Sequence, residues 1–204
     1  MPTKKELTKQ RIIDTAIRLI STLGFNATTT ALIAREAGLS ETIIFKYFKD
    51  KRNLLREIGN LATEQVFENI ALIPFQKNVE LSKEYPLREF LKSIALERFQ
   101  FIEKNLELIK ILVVEMQYSA DLLEQAQKTV FPKAYEVAGG IQRIIAAKTG
   151  IGEAQAKAVA RLWIGTFLSI AVQKYLLTIP FQPGEVEDEL ERVLDVIECY
   201  VNSK

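Results

Sequence analysis

Glu41, Thr42, Lys46 and Tyr47 are the residues whose types and spacing suggest a specific chemistry in this chain. Over the stretch from Ser40 to Phe48, Ile44 and Phe48 lie four apart, so a short helix turns that pair inward and these four outward. An outward face of short polar and basic side chains suits hydrogen bonding to base edges in a DNA major groove. Catalytic chemistry finds less support. The chain has no histidine and a single cysteine, Cys199, which excludes an internal disulfide framework, a zinc finger and His-based acid–base work. The carboxylates Glu187 and Glu191 belong to a charged helical face with no accompanying pocket signal. Gly139 and Gly140 lack the Lys and Ser or Thr spacing of a phosphate loop. No enzyme activity, cofactor or metal is therefore expected.

Two elements must position the reading face. A helix starting at Thr28 or Thr29, whose hydroxyls can cap it, carries Leu32, Ile33, Ala34 and Ala37 on one stripe over about nine residues. Gly38 ends it with the left-handed turn that glycine adopts at little cost, Leu39 folds back, and Ser40 caps the second helix. Phe45 is assigned to core packing. Upstream, Lys9 to Leu23 carries Ile12, Ile13, Ala16, Ile17, Leu19, Ile20 and Leu23 on a helical face that can brace the pair, with Gly24 as its stop and Phe25 packing under the cap. Taken alone, helix, glycine and helix also fit an ordinary interhelical corner.

Charge adds to the pattern. The first 55 residues hold ten Lys or Arg against five Asp or Glu, so the net charge of +1 combines a basic head with an acidic remainder. A basic end suits phosphate, and an acidic body avoids it.

With these residues assembled, Gly24 to Leu55 resembles the DNA-binding domain of the TetR family of bacterial transcription regulators. The matching pieces are Gly24–Phe25, Thr28–Thr29, Ile33–Ala34, Ala37–Gly38, Ser40, Tyr47–Phe48, Lys51 and Leu54. The resemblance implies an all-α protein, with a helix-turn-helix DNA-binding domain over residues 1–51 and a helical effector-binding and dimerisation domain over 52–204. It implies that Thr29, Tyr47 and Lys51 hold phosphates and that Glu41, Thr42, Ile43 and Lys46 lie at or near base edges, with Ser40 beside them. Phe45 stands where a tyrosine is common and Thr42 where a small residue is common, so the DNA sequence read need not follow that of relatives.

Beyond Lys51 the pattern is helical. Helices are expected over 52–73, 86–105, 106–118, 122–148, 153–178 and 184–202, with breaks at Pro74, Tyr85–Pro86, the turn from Thr149 to Gly152, and the stretch from Pro180 to Gly184. Pro132 is expected to kink or split one of them. The helix from Glu153 is apolar nearly all round and the last helix carries Leu190, Val193, Leu194, Ile197 and Val201, so two such helices from each of two chains can close a four-helix bundle. A homodimer is expected. By resemblance, an effector pocket lies among the central helices, with Phe99, Met116, Trp163 and Phe167 as its lining and Phe101 and Tyr118 as further candidates, although each also fits plain core. Glu115, in the apolar run ILVVEM, either faces water at a helix end or needs a buried partner.

No signal peptide fits the start, and the longest uncharged apolar stretch, Leu162 to Gln173, is twelve residues, short of the roughly 20 that span a bilayer. A cytoplasmic protein is expected, with double-stranded operator DNA and a small-molecule effector as partners. A DNA-binding or adaptor protein without small-molecule input is the second reading, and an all-helical enzyme the third.

Overall fold

A capping box opens the first helix. In the computed structural model, which describes residues 2–71 and 85–203, the Thr3 hydroxyl accepts from the Glu6 N–H at 3.3 Å and the Glu6 carboxylate accepts from the Thr3 N–H at 2.6 Å. This reciprocal pair satisfies two donors that a helix start leaves open. Helix α1 therefore spans Lys4–Leu23, beginning at Lys4 where the apolar period alone pointed to Lys9. It is followed by α2 (Thr30–Glu36), α3 (Glu41–Tyr47), α4 (Lys51–Ala71), α5 (Leu87–Lys104), α6 (Leu106–Glu115), α7 (Ala120–Thr149), α8 (Glu153–Ala171) and α9 (Glu185–Asn202). No strand occurs among the described residues. The expected end of α4 at Ile73 and the break at Pro74 lie outside them.

The chain forms two compact units, Met1–Phe67 with Asn105–Val130, and Glu68–Lys104 with Phe131–Lys204. In the first, α1 packs on α2 and α6, and α2 packs on α3. Ile12, Ile33, Ile44, Leu54 and Ile58 of the first four helices, and Phe48 just after α3, are fully buried large side chains. The division expected at residue 51 falls at the first residue of α4, inside this unit. Leu54, Leu55 and Ile58 of α4 are buried, and α6 lies against α1.

In the second unit α5, α8 and α9 pack on one another. Phe90, Leu91, Trp163, Ile170, Leu190 and Leu194 fill its core. Across the edge of this core Arg88 of α5 reaches three carboxylates of α9, Glu191, Asp195 (2.8 Å) and Glu198 (2.7 Å), and Lys92 adds a second bond to Glu191.

Of the two outcomes expected at Pro132, splitting is excluded, since α7 continues on both sides of it. One expectation for the later helices changes. The helix expected to run to Thr178 stops at Ala171 and passes into a π turn, Val172–Leu176. Widening the turn carries Tyr175 into the interior. Its hydroxyl donates to Glu103 at 2.8 Å.

Candidate nucleic-acid interface

The reading head is built from short helices that depend on their ends, because helices this short are held by caps and packing rather than by propensity. Thr29 caps α2, its hydroxyl accepting from the Leu32 N–H at 3.1 Å. The adjacent Thr28 is buried and donates to the Gly24 carbonyl at 2.9 Å, tying the start of α2 to the end of α1. After α2, Gly38 adopts φ +62°, and the Leu39 N–H returns to the Ala34 carbonyl at 2.9 Å. A left-handed residue with a following N–H that reaches back closes the helix and aims the chain into α3. Ser40 occupies the capping position of α3, but its hydroxyl makes no capping bond, contrary to the role its type suggests.

Helix α3 is anchored by Ile44 and Phe48, both about 1% exposed. Glu41, Thr42 and Lys46 are exposed together on the opposite side, as their spacing implies, whereas Ile43 and Tyr47 are half-buried at its margins. Phe45 joins the exposed set. It is 51% exposed rather than core, because a residue one position after Ile44 is turned about 100° away from the buried face. Glu41 is held: the Thr30 hydroxyl, at the first position of α2, donates to its Oε1.

Lys51 takes a place that its position in the motif did not indicate. Its ammonium donates to the Phe25 carbonyl at 2.7 Å, comes within 3.5 Å of the Asn26 carbonyl and sits 4.2 Å from the Phe25 ring centre. Burial in this corner lowers its pKa, and the charge of Glu115 opposes that shift. Glu115, the last residue of α6, is only 8% exposed, and its Oε1 accepts from the Phe25 N–H at 3.2 Å. Of the two sequence readings of Glu115, the water-facing one is overturned and the partner is a backbone amide beside a lysine. The corner between α1 and α2 is thus held from both sides, by a cation on its carbonyls and a carboxylate on its N–H.

The residues expected around an effector separate. Phe99 and Phe167 meet with ring centres 4.8 Å apart and planes tilted by 40°, Tyr175 lies 6.3 Å from Phe99, and Trp163 is buried in the same unit. Tyr175 was not singled out in the sequence, since the π turn that brings it inward has no sequence period. Phe101 is half-buried under Arg98. Met116 and Tyr118 belong to the other unit, and Tyr118 is 82% exposed. Together with Glu115, Tyr118 borders an open cleft of about 1080 Å³ beside the α1–α2 corner. Two of the cations on its rim are paired, Arg56 with Asp121 at 3.2 Å and Lys128 with Glu124.

Comparison with known proteins agrees with this architecture. Residues 12–58, from the middle of α1 into α4, match the family described as bacterial regulatory proteins, tetR family. The chain is 29% identical over 144 residues to the HTH-type transcriptional regulator AcrR of Shigella flexneri, a stretch covering 66% of this chain and 63% of that one. It is 40% identical over 63 residues to the HTH-type transcriptional regulator BetI of Cronobacter sakazakii, covering 31% of each. The matched stretch spans less than two thirds of either relative. Among solved structures, a TetR-family regulator from Mesorhizobium loti superposes with a TM-score of 0.65 over 96% of this chain and 98% of that one, at 20% identity. A regulator from Aquifex aeolicus gives 0.58 over 93% and 99%, at 17% identity. These two likenesses establish the helical fold across both units, while the family match takes in the braced helix pair and its glycine turn. The segment from residue 12 to residue 58 belongs to the TetR family of bacterial regulatory proteins.

Proposed function

We propose that the protein is a homodimeric regulator that binds a double-stranded DNA operator through α3 and, acting as a repressor, is released from it by a small apolar or amphipathic effector. The observation that carries this reading is the exposed face of α3. Glu41, Thr42 and Lys46 are presented outward on a helix fixed from behind by Ile44 and Phe48. In this reading Ile43 lies beside the base contacts, and Thr29, Ser40, Tyr47 and Lys51 meet phosphates, which fix register while base contacts specify. The basic balance of the first 55 residues supports that division. Both curated relatives are described as helix-turn-helix transcriptional regulators, which supports it further.

Dimerisation is supported by the outer side of the second unit. Leu168 and Val172 on α8 and its π turn, and Val196 and Tyr200 on α9, are exposed apolar side chains. Such a set is ordinarily covered. A second copy covers it by forming a four-helix bundle, and the resulting two-fold pair presents two copies of α3 to half-sites one DNA turn apart. The effector is assigned to the aromatic group of Phe99, Phe167 and Tyr175 in the second unit, which also buries Trp163. A ligand favouring the conformation with misplaced heads lowers operator affinity by its differential affinity, about 1 to 3 kcal/mol.

Selection of binding sites from a library of randomised duplexes tests the first half of the proposal, with a two-fold repeated sequence as the expected product. Screening apolar compounds against the fluorescence of Trp163, with operator release as the second readout, tests the other half. Compounds that saturate the protein and leave the operator bound would assign it to the class without small-molecule input.

A further inference from the structure

Thr30 and Glu41 stand at the first positions of α2 and α3 and are joined by the hydrogen bond from the Thr30 hydroxyl to Glu41 Oε1. The direction of that side chain is informative. A glutamate in the first turn of a helix is ordinarily drawn to the open N–H groups of its own helix, and Ser40 leaves those groups without a side-chain cap. Glu41 instead reaches across to α2. Among the described residues it forms no ion pair, and it remains exposed on the side of α3 that carries Thr42, Phe45 and Lys46. One carboxylate oxygen is held by the hydroxyl, which leaves the other as a fixed, charged acceptor on the reading face.

We propose that Thr30 is a positioning residue that fixes Glu41 to accept a hydrogen bond from the 4-amino group of one cytosine in each operator half-site. The inference rests on the assignment of α3 as the DNA reader made above and names what one of its residues reads. An ionised carboxylate only accepts. In the major groove guanine offers two acceptors and thymine an acceptor and a methyl group, so neither gives it a donor. Adenine offers an amino group flanked on both sides by acceptors, its own N7 and the partner thymine O4. The cytosine amino group has an acceptor on one side only, the O6 of its guanine. A carboxylate held in one orientation therefore discriminates for cytosine, and a freely turning one discriminates less. Its negative charge also repels phosphate, so Glu41 contributes to choice of sequence and not to general affinity.

The test uses the full chain and a library of randomised duplexes, followed by titration of the selected duplex and its three single-base variants at the assigned position. The wild type is expected to prefer cytosine there by roughly tenfold. Thr30→Ser keeps the hydroxyl and the preference. Thr30→Val removes the hydroxyl and reduces the preference severalfold, while affinity for random duplex and the thermal midpoint stay at their wild-type values. Glu41→Gln supplies a donor and an acceptor together and moves the preference to adenine, whose N6 and N7 match that pair. A cytosine preference undiminished in Thr30→Val, or a selected sequence unaltered in Glu41→Gln, overturns the inference and leaves the DNA-reading assignment standing. A wild type that selects no sequence overturns the assignment and the inference together.

Discussion

Lys51→Met separates two jobs that one ammonium can do. The methionine keeps much of the apolar stem and removes the charge and all three donors. The structure gives that loss a size. The 2.7 Å bond to the Phe25 carbonyl is charge-assisted, and bonds of that kind contribute about 1.5 to 3 kcal/mol. The 3.5 Å approach to Asn26 adds little. The ammonium over the Phe25 ring adds about 0.5 to 1 kcal/mol at a partly exposed site. Burial of the ammonium works against both, as its lowered pKa records, so a net loss of about 2 kcal/mol is expected. For a chain of 204 residues that is a fall of about 4 to 8 °C in the thermal midpoint. The DNA assay is the slope of log affinity against log salt between about 50 and 200 mM, measured by fluorescence anisotropy on random duplex, because a phosphate contact is independent of sequence. If the ammonium also meets a phosphate, the slope falls by about 0.9 unit for each head bound, about 1.8 for the proposed dimer. A midpoint lowered as expected with an unchanged slope would refute the phosphate role and leave Lys51 as part of the corner alone. An unchanged midpoint would refute the energy assigned to the corner.

Three further outcomes follow from single contacts. Gly38→Ala meets no atom within 4 Å of its new Cβ, so only its φ of +62° is penalised, and thermal or urea unfolding should show a loss of about 1 to 2 kcal/mol. Val196→Asp on the exposed side of α9 should weaken dimerisation by about 3 kcal/mol, a change of roughly a hundredfold in Kd. Sedimentation at micromolar concentration reads it, and an unaltered dimer would remove α9 from the interface. Glu191 is held below the ordinary glutamate range by its hydrogen bonds to Lys92 and then Arg88. Its contribution to stability is therefore complete above the unfolded value of roughly 4.3 and disappears as pH falls through the lower folded value. Glu191→Gln should be less stable than wild type at pH 7 and lose less on acidification, and parallel melting curves across that range would show the assignment to be wrong.

The reading head was legible because its signals are local. Thr29, Gly38 and the pair Ile44 and Phe48 act within one or two turns, and the structure bears each of them out. Two local features were nonetheless read poorly. Thr3 and Glu6 carry the spacing of a capping box, yet the apolar period placed the start of α1 at Lys9, since exposed first turns have no apolar residues to count. Phe45 was assigned inward from its type, although its phase relative to Ile44 turns it outward. Other features had no local expression. The bond between Phe25 and Glu115 joins residues 90 positions apart, and the burial of Tyr175 follows from a π turn that shifts the helical phase.

The corner of Phe25, Lys51 and Glu115 has a consequence for any contact between Lys51 and DNA. Glu115, itself 8% exposed, satisfies the half-buried Phe25 N–H, and losing that acceptor would leave the donor to water at a cost of about 1 kcal/mol. The same carboxylate favours the charged form of Lys51. If a phosphate draws the ammonium outward, the Phe25 carbonyl loses its donor and Glu115 loses a nearby positive charge, so the phosphate competes with both. If instead the end of α6 withdraws Glu115, Lys51 is freed from one attraction and the Phe25 N–H from its bond, and the corner loosens. Phosphate binding at Lys51 and the position of Glu115 are then linked, and linkage acts equally in both directions. The coupling available from one charged bond and one part-buried N–H is on the order of 1 to 3 kcal/mol, the usual size of coupling between two sites.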